Sequence, residues 1–168
     1  MQESRKGMQI PFFHDHLLMS KVSAIKNIIE NQLADTDCFL VDTESNSTET
    51  VIKFFIDGNA GVKIDFCAKL SRTISKELDN LGLEEDAFRF EISSPGIEKP
   101  LVDIRQFPQH INRTLRIEQD ENIIKGMLKK IDGNNLEIKI PKSKKLPDQI
   151  VNIEFNQQIK IKVIPSFK

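Results

Sequence analysis

The chain has 168 residues, 29% charged and 39% hydrophobic, with a formal net charge of −1. That leaves room for one ordinary domain or two small ones, and no apolar run approaches the roughly 18 residues of a membrane span. Two cysteines, Cys38 and Cys67, are too few for a zinc site, and the chain shows no signal-peptide pattern, so a cytosolic protein with buried thiols is expected.

Residues 1–18 show neither helical nor strand period and precede a second possible start at Met19. They are expected to be a disordered extension, and His14-Asp15-His16 has too few ligands for a metal site. Ser20 to Leu33 predicts a helix, capped by Ser20, with Val22, Ile25, Ile28, Ile29 and Leu33 as its apolar stripe. Cys38 to Val41 predicts a short buried strand, and the polar run Asp42 to Thr50 a loop. Val51 to Asp57 predicts a second strand with Ile52, Phe54 and Ile56 on one face, turned by Gly58, Asn59 and Gly61.

Asp65 is expected as the N-cap of a second helix, whose stripe is Cys67, Leu70, Ile74, Leu78 and Leu81, ended by Gly82. Lys69, Arg72 and Lys76 form a basic row on another face, suited to phosphate contact or simply solvated. Glu84, Glu85 and Asp86 form an acidic loop. Phe88, Phe90 and Ile92 then alternate with Arg89, Glu91 and Ser93 in a third strand. It runs into Ser94-Pro95-Gly96, a tight turn, and Pro100 stiffens the exit from that turn. This corner predicts the end of one domain and the hinge to the next. Two helices on one face of a small sheet make an N-terminal α/β domain.

After Leu101 the rhythm changes. Arg105 to His110 allows one helical turn, broken by Pro108. Strands are then expected at Thr114 onward, at Ile124 to Ile131 with a bend at Gly126, at Leu136 to Ile140, at Ile150 to Phe155 and at Ile159 to Val163. Asp132-Gly133-Asn134-Asn135 reads as a hairpin turn. Pro141 to Pro147 is a basic loop holding Lys142, Lys144 and Lys145. Five short strands should curl into a small SH3-like or Sm-like β-barrel. The fold class is therefore α+β in two domains, at 19–101 and 102–168.

Charge divides unevenly along this line. Residues 1–101 hold 11 Lys+Arg against 17 Asp+Glu, or −6, and residues 102–168 hold 13 against 8, or +5. The asymmetry fits a C-terminal half that faces a polyanion or acidic partner, and equally an uneven scatter of surface charge. The sequence carries no phosphate-binding glycine loop, dinucleotide fingerprint or nucleophile elbow. Ser93 and Ser94 have no partnered base, and the expected role of their hydroxyls is to bond nearby backbone and fix the turn. His110 stands alone in a polar loop and is expected at the surface. The chain has no Trp and no Tyr, and its phenylalanines fall on apolar faces. Base stacking is therefore disfavoured, and any RNA contact should run through Lys and Arg on the phosphate backbone. Protein partners are equally open, and the main alternative is an interaction adaptor that uses the barrel.

Three segments carry a resemblance. Ile64-Asp65-Phe66-Cys67 running on to Leu70-Ser71-Arg72, the strand and corner from Arg89 to Leu101, and the C-terminal pattern Val151 to Phe155 with Ile159 to Val163 are similar to the RimP family of ribosome maturation factors. The chain departs from the family at Asn112-Arg113, where Gly-Arg is usual, and Asn tolerates the same left-handed backbone. The resemblance implies an N-terminal α/β domain, a C-terminal SH3-like barrel and a cytoplasmic, non-enzymatic factor. It implies binding to the immature small (30S) ribosomal subunit through rRNA or a ribosomal protein near the decoding centre. No cofactor, metal, membrane or small-molecule substrate is expected, and the protein is expected to be a monomer. On this reading Asp65, Ser93, Ser94, Pro95, Gly96 and Pro100 set geometry. Arg72, Lys99, Lys142, Lys144 and Lys145 are the candidate subunit contacts.

Overall fold

The computed structural model describes residues 20–82, 88–141 and 147–166. The expected extension at 1–18, the acidic loop at Glu84 to Asp86, and Lys142, Lys144 and Lys145 lie outside the described residues.

The described residues form two helices, two sheets and two short 3-10 turns. Helix α1 (Lys21–Leu33) and helix α2 (Ile64–Asn80) accompany a mixed sheet of β1 (Cys38–Ser45), β2 (Val51–Gly58) and β3 (Arg89–Ser93) in the order β1-β2-β3. Strand β1 is antiparallel to β2, and β3 is parallel to it. After 3-10 turns at Ile104–Gln106 and Pro108–His110 come β4 (Thr114–Gln119), β5 (Asn122–Asp132), β6 (Asn135–Ile140), β7 (Gln149–Glu154) and β8 (Lys160–Val163). These make an antiparallel sheet in the order β7-β6-β5-β4-β8.

All five expected C-terminal strands are present, but their sheet does not close into a ring. Its edges are β7 and β8. Strand β8 has only four residues, and Ile161 on it is already bridged by Leu101, whose N–H donates to the Ile161 carbonyl at 2.7 Å.

Local chemistry explains most element boundaries. Ser20 caps α1, its Oγ accepting from the Ser23 N–H at 3.2 Å. In α2 the stripe Cys67, Leu70, Ile74 and Leu78 is buried. Leu81 is not, because the helix ends at Asn80 and Leu81 is its C-cap, followed by Gly82 at φ +69°. Asp65 is not the N-cap. Lys63 holds that position without a side-chain bond, since the Phe66 N–H bonds the Lys63 carbonyl and winds the helix two residues earlier. Asp65 instead lies in the first turn, where a carboxylate opposes the positive end of the helix dipole.

The expected loop at 42–50 is half strand. Asp42, Thr43, Glu44 and Ser45 pair with Phe55, Phe54, Lys53 and Ile52 after a bulge at Val41. Strand β1 is an edge, so polar residues are tolerated there and mask its period. At Gly126, where a bend is expected, β5 continues without a break. A Cβ at Gly126 would collide with Ile138 Cγ2 and lie 3.0 Å from the Lys139 carbonyl oxygen, so close approach of β6 demands glycine. The hairpin at Gly133 forms as expected, with φ +57°.

Each sheet has its own core. Ile25, Ile29, Phe54, Ile56, Ile74 and Leu78 lie in one; Phe107, Leu115, Ile117, Leu128, Leu136 and Ile161 lie in the other. A fully buried Leu, Ile or Phe contributes roughly 1.5–3 kcal/mol, against about 0–1 for an exposed ion pair. The cores therefore set stability, and polar contacts set how the two sheets meet.

Candidate functional site at the corner between the sheets

Strand β3 ends at Ser93, and the backbone turns at Gly96 with φ +71°. Space around Gly96 is open, so the left-handed backbone, not packing, requires glycine here. Among the described residues neither Ser93 nor Ser94 makes a side-chain hydrogen bond. The expected hydroxyl bonds are absent: the fixed φ of Pro95 and Pro100 and the left-handed backbone that Gly96 permits form the corner without them.

Lys99 is not a free surface cation. Its ammonium lies 2.5 Å from Glu44 Oε1, 3.7 Å from Asp42 Oδ2 and 3.3 Å from the centre of the Phe55 ring. The polar end of β1 thus has a purpose that its sequence hides: it holds the corner down on the sheet.

Beyond the corner, the two 3-10 turns pack against the same face of β2. Strand β2 sends Ile52, Phe54 and Ile56 toward the helices, as its alternation predicts. The opposite face carries Phe55 and Asp57, and both are buried. Asp57 accepts from Gln106 Nε2 and Gln109 Nε2, each at 3.0 Å, and from the Gly58 N–H at 2.9 Å. Gln106 is 1% exposed, and its Oε1 accepts from the Val102 and Asp103 N–H groups. One amide therefore satisfies a turn and a carboxylate on the other sheet at once. Beside it, the Arg105 guanidinium stacks 4.2 Å from the Phe39 ring. Asp103 binds that guanidinium at 2.6 Å, and this bond holds the Asp103 carboxyl below its usual range.

His110 is buried, which corrects the surface expectation. The helical turn expected at 105–110 winds inward, with Pro108 opening its second half, and carries the ring into the interface. Its Nδ1 has no hydrogen-bond partner among the described residues. Burial, helped by Arg113, holds its pKa below the ordinary histidine value against the opposite pull of Asp57.

A cleft of about 210 Å³ lies under the corner, lined among others by Asp57, Ser94, Pro95, Gly96, Lys99, Gln106, Gln109, His110 and Arg113. It brings a serine, a histidine and an aspartate together, but not as a catalytic relay. Asp57 accepts from two amides, and no hydrogen bond joins Ser94 to His110 or His110 to Asp57 among the described residues. Nucleophilic catalysis needs that chain of bonds. Among the described residues no cluster of His, Cys, Asp and Glu could hold a metal ion. Cys67 is buried and Cys38 half-buried; both are free thiols whose pKa burial pushes up, so they are poor nucleophiles.

Of the residues singled out in the sequence, Ser94, Pro95, Gly96 and Lys99 converge on this cleft. Asp65, Ser93, Arg72 and Pro100 do not line it. Arg72, with Lys69 and Lys76, is exposed on α2 and has no ion-pair partner among the described residues. Asp57, Gln106, Gln109 and Arg105 escape sequence reading. The available signal was Phe55-Ile56-Asp57, an apolar and acidic pair on the face of β2 that alternation marks as outward.

Residues 25–98 match the model of the RimP N-terminal domain family. That segment holds the mixed sheet, most of α1, all of α2 and the corner as far as Glu98. Among curated relatives, the ribosome maturation factor RimP of Flavobacterium psychrophilum is 31% identical over 115 residues, covering 68% of this chain and 72% of the relative. That alignment is longer than the N-terminal segment, so it includes residues on the far side of the segment's bounds. No helix among the described residues is long and apolar enough to cross a membrane.

Proposed function

Because the chain belongs to the RimP family of ribosome maturation factors, assembly proteins rather than enzymes, we propose that it acts in maturation of the small (30S) ribosomal subunit. In this reading it binds the immature subunit in the cytoplasm, as a monomer, through rRNA, through a ribosomal protein near the decoding centre, or through both. It leaves once assembly has advanced. The similarity over 115 residues carries this reading.

We read the two cores as two domains, joined at the corner. Leu101 packs in the second core, so the junction lies at Pro100, one residue earlier than the sequence suggests. The five-stranded sheet is read as an SH3-like barrel left open between β7 and β8. Its one-sided core, the bulge at Lys129 and the close packing of β6 over Gly126 support strong curvature. The acidic N-terminal half suits a basic ribosomal protein, and the basic C-terminal half suits rRNA. Arg72, Lys142, Lys144 and Lys145 remain proposed contacts. Lys99 is withdrawn from that role, because its charge is already met by Glu44 and Asp42.

The test is sucrose-gradient co-sedimentation of the tagged chain at two salt concentrations, beside a variant with Lys142, Lys144 and Lys145 changed to Glu. Enrichment with free small subunits and absence from assembled ribosomes is the expected result. A chain that stays at the top of the gradient at low salt would overturn the reading in favour of a protein-interaction adaptor. Unchanged subunit binding and unchanged salt dependence in the triple variant would remove the basic loop from the contact.

A further inference from the structure

We propose that the outward face of β4, β5 and β8 is a binding surface for the phosphate backbone of RNA, centred on Lys125, Arg116 and Lys162. The strand register carries the argument. Arg116 sits directly opposite Lys125 on one side and Lys162 on the other. Their neighbours Leu115, Ile117, Gly126 and Ile161 are buried, so alternation turns all three cations outward. Strands are spaced about 4.8 Å apart, which sets three positive charges abreast across roughly 10 Å. Like charges directly opposite each other destabilise a sheet. A sheet selected only for its own stability would break such a row, and an anionic occupant is what makes it favourable.

The row is also underneutralised. Lys160 adds a fourth cation to the same face, and Glu118 is the one outward carboxylate where β4 pairs with β5 and β8; Asp132 lies farther along β5, beyond the bulge and beside Lys130. Glu118 accepts from Arg116 Nε at 2.7 Å and lies 3.9 Å from the Lys160 ammonium. Lys125 and Lys162 make no salt bridge among the described residues, although the charge of Lys162 is felt by Glu118. The charges left most open to a ligand are therefore lysines. A lysine is a point charge that tolerates register along a phosphate chain, whereas carboxylate recognition favours the two-pronged fork of arginine. The single arginine here has already given Nε to Glu118. No aromatic side chain shares the face, which leaves the backbone rather than stacked bases as the target. The inference deepens the small-subunit reading and rests on it for the identity of the RNA.

Fluorescence anisotropy of the full chain with a labelled mixed-sequence RNA hairpin tests it, between about 50 and 200 mM salt. Lys125→Gln with Lys162→Gln should flatten the slope of log affinity against log salt by about 2, which shrinks the affinity loss over that range roughly tenfold. The melting temperature of this variant should hold or rise, since a repulsion is removed. Lys26→Gln with Lys53→Gln, which lie on α1 and β2 and on none of these three strands, should leave the slope unchanged. A wild-type slope in the first variant, an equal change in the second, or no hairpin binding by the natural chain would overturn the proposal. Tighter binding of polyglutamate than of RNA would overturn it in favour of an acidic protein. A chain with row-dependent RNA binding that fails to sediment with subunits keeps this surface and loses the small-subunit reading. A chain that sediments while the first variant keeps its wild-type RNA slope loses this surface alone.

Discussion

The two sheets solve the same burial problem differently. In the five-stranded sheet one face is covered and the other is wet, so β4 and β8 alternate cleanly between buried and outward residues. In the mixed sheet β2 is buried on both faces from Phe54 to Gly58. Helices cover one face, and the segment from Lys99 to His110 covers the other at this end of the strand. A departure from strict alternation therefore marks where one part of the chain lies on another. It is the local sign that the two sheets are not independent.

Three measurements would break or sharpen that contrast. The largest effect is expected from Gly126→Val, which drives a branched side chain into Ile138 and the backbone of β6. A loss of about 3 kcal/mol is expected, confined to the second core, and urea unfolding followed by amide exchange would resolve it. Survival of the second core at native stability would mean that β6 is not held as close as described. Next is Gln106→Leu, which removes a bond to buried Asp57 and the acceptor of the Val102 and Asp103 N–H groups. About 2 kcal/mol should be lost, and one cooperative melting transition should separate into two. A single transition at the native midpoint would show that the sheets are coupled elsewhere.

The smallest effect is in pH. The folded pKa of His110 lies below its ordinary value near 6.5. As pH falls through that value the unfolded chain takes up a proton that the folded chain refuses, so stability declines until folded His110 itself protonates. Above it the contribution is complete and flat. His110→Gln should flatten this slope between neutral and mildly acidic pH in thermal melts. An identical slope in the variant would place the titrating group elsewhere.

Much of the architecture was legible because apolar period dominates it. Ile25, Ile28, Ile29 and Leu33 named α1, and Leu115, Ile117, Ile161 and Val163 named strands that exist. What failed to show has a common cause: its partner is far away in the chain. Asp42 to Ser45 look like loop until Phe55 and Lys53 pair with them. Lys99 looks like a contact until Glu44 claims it, and His110 looks exposed until the cleft closes around it. Asp65 failed for a shorter-range reason, since a capping residue two positions off is still a good residue for a first turn. The cationic row on β4, β5 and β8 was equally hidden. Its members lie nine and forty-six residues from Arg116 in the chain and meet only through register.

The bond between Asp57 and Gln106 spans 49 residues, and this separation orders events during synthesis. The helices can pack on β2 once β3 has emerged, but Phe39, Phe55 and Asp57 must wait for the two 3-10 turns beyond the corner. For those moments the nascent chain offers a half-finished sheet with a wet carboxylate between aromatic rings. Until then Asp57 keeps that face from being continuously apolar, and the residue that later locks the two sheets together is meanwhile hydrated.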